Sequence, residues 1–176
     1  MAPIITMRLF SEDRKQKVDQ ALFSAPVKLI SIICGKFFAA VALFMIPMGM
    51  TLIYQIILSF TSDVNWLLYL SDILGIALMG SAILSIGLFI SALTESQMIA
   101  GIFGMAVSFF IMQIDYFSSA VNVEWFTTFC TSVSFITRYN AFTSGQFDFS
   151  NIVFFVSVVV VFLYFTHLVL DKKRWA

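Results

Sequence analysis

Four long apolar runs leave this chain of 176 residues little choice of environment. The runs are Phe37–Phe60, Leu67–Leu93, Met98–Phe117 and Ile152–Leu170. A helix rises 1.5 Å per residue, so roughly 17–25 apolar residues cross about 30 Å of hydrocarbon. Hydrophobic residues make up 60% of the sequence and charged residues 11%. A soluble domain of this length has too little polar surface to cover so much apolar area. The expected fold is therefore an all-α integral membrane protein, one membrane domain over residues 1–176. It has about four transmembrane helices (37–60, 67–93, 98–117 and 152–170) and an N-terminal segment, 1–36, that leads into the first of them.

The charges between the runs are sorted. Of ten Lys and Arg residues, Arg8, Arg14, Lys15, Lys17, Lys28 and Lys36 precede the first run, and Lys172, Lys173 and Arg174 follow the last. Four crossings return the chain to its starting side, so both basic ends share one face. The positive-inside rule makes that face cytoplasmic. Only Arg138 is left for the outer face, with Asp63, Asp115, Glu124 and Asp148 near or beyond the outer ends. The net charge of zero thus hides a separation. The basic face suits anionic lipid; nucleic acid is not an expected partner, since no basic patch interleaved with aromatics is present.

Ser11 is a good N-cap, with Glu12 and Asp13 in the following turn, where the helix dipole favours acids. Val18, Ala21 and Leu22 then stand at i, i+3, i+4 spacing, so residues 10–24 read as a short amphipathic cytoplasmic helix. Ser24-Ala25-Pro26 ends it and starts the next, since proline is tolerated in a first turn. By itself this helix suits a lipid surface. Within the first run, Pro47 and Gly49 imply a kink, serving either packing or a hinge. In the second, Ala77, Ser81 and Ser85 form a stripe at i, i+4 spacing suited to close helix packing, with Gly75, Gly80 and Gly87 as further small positions. Residues 118–151 carry seven Trp or Phe residues. Such a connection is expected to lie in the outer interface as one or two short helices.

Catalytic, metal and cofactor sites are not expected. The one histidine, His167, reads as packed or interfacial, and no Gly-x-x-x-x-Gly-Lys-Ser/Thr loop is present to bind nucleotide. Asp72 and Asp115 lie just inside outer helix ends, where they either hydrate or line a substrate or proton path. Arg138 is placed to pair with Glu124 or Asp148. Cys34 and Cys130 fall at opposite faces, too far apart for a disulfide.

Thr6-Met-Arg-Leu-Phe-Ser-Glu-Asp-Arg-Lys-Gln-Lys-Val-Asp-Gln-Ala-Leu-Phe-Ser-Ala-Pro-Val27, followed by Gly35-Lys36-Phe37, resembles permeases of the type-2 ABC exporter class, in particular the gliding-motility-type branch. Gly87–Gln97 looks like the family's fourth-helix exit. Phe142-Thr-Ser-Gly145 with Asp148, and Lys173-Arg174-Trp175, look like its last outer loop and tail. The resemblance implies a permease subunit in a bacterial cell membrane, paired with a second permease unit and with a separate cytoplasmic ATP-binding subunit. It further implies that Glu12, Asp13, Arg14, Lys15, Lys17, Val18, Asp19 and Leu22 belong to the helix that couples to the ATPase. Family members have about six spans, so the first and most of the second would lie before Met1 or on another polypeptide. Lys17-Val18 also departs from the family's usual Gly-Thr. The alternative from another class is a small anchoring or assembly subunit; an intramembrane enzyme is more distant.

Overall fold

The computed structural model describes residues 29–60, 65–94, 96–116, 124–145 and 148–175. They form six helices, with no strand among the described residues: α1 (Leu29–Ser59), α2 (Trp66–Leu93), α3 (Gln97–Met112), α4 (Glu124–Val133), α5 (Phe135–Thr143) and α6 (Phe149–Trp175). The N-terminal amphipathic helix expected at 10–24, with all its coupling residues, lies outside the described residues.

Three helices are long and apolar enough to cross a membrane: α1, α2 and α6. The first begins at Leu29, eight residues before the apolar run, and continues through Lys36 and Pro47 without a break. The third apolar run gives a shorter helix than its extent implies. α3 has 16 residues, about 24 Å at the helical rise. Gln113 caps it through bonds to the carbonyls of Phe109 and Phe110, and a separate helical turn at 114–116 carries Asp115. The carboxylate of Asp115 accepts a hydrogen bond from Ser134.

α2 is the centre of the bundle and packs against α1, α3, α5 and α6. Seven consecutive residues, Ala82–Leu88, are buried, so this stretch of the helix is covered all round and needs no polar face. Asn65 starts it, its side chain accepting from the backbone N–H groups of Leu67 and Leu68. Where α2 meets its neighbours, glycine makes room. A Cβ on Gly75 would stand 2.8 Å from the Cβ of Phe142, and one on Gly80 would meet the ring of Phe44.

Contacts at both ends fix the helix directions. Thr51 of α1 lies 3.2 Å from the Tyr69 hydroxyl at the start of α2, and Phe44 meets Gly80 deeper along both, so α1 and α2 are antiparallel. α6 meets α5 at its beginning, through Asn151 and Phe155, and meets the beginning of α1 near its end. Phe89 of α2 stacks on Phe162 and Phe165 between these points, at centroid distances of 5.8 and 6.1 Å. One end of the bundle thus holds the start of α1 and the end of α6. The other is covered by α5.

Burial is uneven. α1 buries Leu29, Ile33, Phe37 and Ala40 along one face of its first half. Its second half exposes Ile46, Met50, Ile53 and Ile57. In water, apolar exposure on this scale would drive aggregation; in hydrocarbon it is the solvated state.

Candidate functional site

Several side-chain hydrogen bonds between helices converge at α5. Ser134 caps this helix, its hydroxyl oxygen accepting from the Thr137 N–H at 3.1 Å. The same hydroxyl donates to Asp115 Oδ2 at 2.6 Å, and the Thr137 hydroxyl lies 3.4 Å from that oxygen. One fully buried serine therefore both starts α5 and ties it to the end of α3. Asp115 Oδ1 is buried without a hydrogen-bond partner among the described residues.

Five residues after Ser134, the Tyr139 hydroxyl donates to Asp72 Oδ1 of α2 at 2.6 Å. Tyr139 lies in the connection between apolar helices, outside the spans. Burial, then the hydrogen bond to Asp72 and its charge, push the phenol up to about 12, so it keeps its proton and stays a donor. Beyond it, Ser71 donates to the Phe142 carbonyl at 2.8 Å, and the fully buried Phe142 ring sits over Gly75. Gly145, at φ 73°, ends this stretch in the left-handed region that favours glycine, close to Leu68.

Arg138 bonds to neutral acceptors on two elements. Its Nε and Nη2 donate to the Ser132 carbonyl at 3.1 and 2.8 Å, and Nη1 donates to Asn151 Oδ1 at 3.1 Å. Its guanidinium lies 4.1 Å from the centre of the Phe154 ring. These bonds join the end of α4 to the start of α6. Phe135, Phe154 and Phe155 complete the joint with edge-on contacts at 5.5–5.7 Å. The result is a short helix pinned to α2, α3 and α6 by hydroxyls, a guanidinium and two buried Phe side chains. The two carboxylates here, Asp72 and Asp115, accept from neutral hydroxyls, while the one nearby cation bonds elsewhere.

Residues singled out in the sequence are dispersed. Ser85 is fully buried, whereas Ala77 and Ser81 are half-buried. The hydroxyls of Ser81 and Ser85 bond the Leu78 and Ala82 carbonyls of their own helix. Pro47 and Gly49 are exposed, and a Cβ at Gly49 would meet nothing within 4 Å. Ser71, Ser134, Thr137, Tyr139 and Asn151 were not anticipated. Phe135, Tyr139 and Phe142, at i, i+4, i+7, form the helical signal that marks the docking face of α5.

At the opposite end, an apolar cleft of about 210 Å³ lies between α1 and α6, lined by Ile30, Ile33, Cys34, Leu163, Tyr164 and His167. Cys34 is half-buried and Cys130 buried, both as free thiols. No group of three or more His, Cys, Asp or Glu side chains able to hold a metal occurs among the described residues. Compared with family models, with curated proteins and with solved structures, the chain gives no match.

Proposed function

We propose that this chain is the membrane-spanning permease subunit of an ABC exporter. It would form the translocation path with a second permease unit and take its power from a separate cytoplasmic ATP-hydrolysing subunit. The observation that carries this reading is the ordered set of segments from Thr6–Val27 to Lys173–Trp175 that resemble such permeases along nearly the whole chain.

The geometry supports it in two ways. α3 starts at the turn leaving α2, and the turn after it reaches the α5 junction near the beginning of α2. α3 and that turn, residues 97–116, therefore travel much of the length of α2, which favours four crossings with both termini on the cytoplasmic side. Second, the first turn of α1 packs beside the end of α6. A push on the start of α1 would reach two spanning helices together, as a rigid-body tilt requires.

The test is purification of the complex from native membranes, followed by substrate-stimulated ATPase activity after reconstitution. An ATP-binding subunit should co-purify. Val18→Asp and Leu22→Asp place a carboxylate in an apolar seat, a cost of roughly a few kcal/mol if that seat is buried. Either change should lower stimulation tenfold or more, about 1.4 kcal/mol being tenfold, with normal membrane insertion. Co-purification of other membrane proteins without any ATPase would favour the anchoring reading. Orientation is tested by thiol labelling of intact cells: Asn122→Cys should react and Lys172→Cys should not.

A further inference from the structure

We draw no further inference here: the strongest candidate, the exposed face of α1 on which Gly35 and Gly49 leave open space beside the helix, is an unpartnered apolar surface, and nothing among the described residues shows what covers it.

Discussion

The two ends of this bundle are built from the same apolar helices and closed by different chemistry. Under α5, closure is polar and specific. Ser71, Asp72, Asp115, Ser134, Tyr139 and Asn151 each have a named partner, and Phe142 fills the space that Gly75 leaves. At the other end α1 and α6 meet across Ile30, Ile33, Cys34, Leu163, Tyr164 and His167, with an apolar gap between them. Hydrogen bonds are directional and a half-buried joint offers few alternative partners, so the α5 end has one arrangement. Dispersion contacts are individually weak and non-directional, so the α1–α6 end tolerates variation. The difference teaches which end is a fixed joint and which can yield.

The largest expected effect tests the fixed joint. Phe142→Ala empties a fully buried site and should cost about 3–5 kcal/mol, read by equilibrium unfolding in mixed micelles. A cost below that of an exposed-face control such as Phe109→Ala would erase the contrast between the ends.

Gly75→Val is next. Its Cβ would stand 2.8 Å from the Phe142 Cβ, an atom fixed to backbone, so α5 must move. Overpacking of this kind costs about 1–3 kcal/mol. At Gly80 the obstacle is the far end of the Phe44 ring, which can swing away, so Gly80→Ala should be milder in the same assay. Equal losses at the two glycines would argue that α5 is no more rigidly seated than α1.

Tyr139→Phe removes the donor to Asp72. Both groups are partly exposed, so the loss should fall near the lower part of the about 0.5–1.5 kcal/mol typical of a hydrogen bond. The pH dependence is sharper. An unfolded tyrosine titrates near 10, and here the phenol is held up to about 12. Above the lower value the unfolded chain gains a phenolate that the folded one resists. Stability from this group is therefore complete below pH 10 and falls as the pH rises toward 12. Tyr139→Phe should flatten the alkaline decline relative to the parent, and an identical decline in both would show that the phenol is not engaged.

Smallest should be Leu163→Ala at the yielding end. Leu163 is half-buried beside the cleft, and a partly filled site loses little further contact, so a change within about 0.5 kcal/mol is expected. A loss as large as that of Phe142→Ala would mean that both ends are equally fixed.

Much of this protein follows from its sequence. Run length and hydropathy determine that helices form and that they are long enough to cross a bilayer, because both depend on local composition. Three of the four apolar runs fall on α1, α2 and α6, and two short helices, α4 and α5, lie in the Phe-rich connection. Turn chemistry at Asn65 and Thr94 bounds α2 for the same local reason.

Tertiary structure alone decided the partners. Asp72 and Tyr139 are 67 residues apart, and Ser71 and Phe142 are 71 apart. No periodicity within one helix encodes such pairs. Which face of an evenly apolar helix turns inward was equally hidden, since α1 and α2 are almost as apolar on one side as on the other. The end of α3 was hidden too. Its apolar run continues past Met112, yet Gln113 caps the helix there, and Asp115 just after it bonds Ser134, 19 residues on. Local sequence fixes what a segment can become in hydrocarbon. Where the few polar groups find each other there depends on the helices having packed.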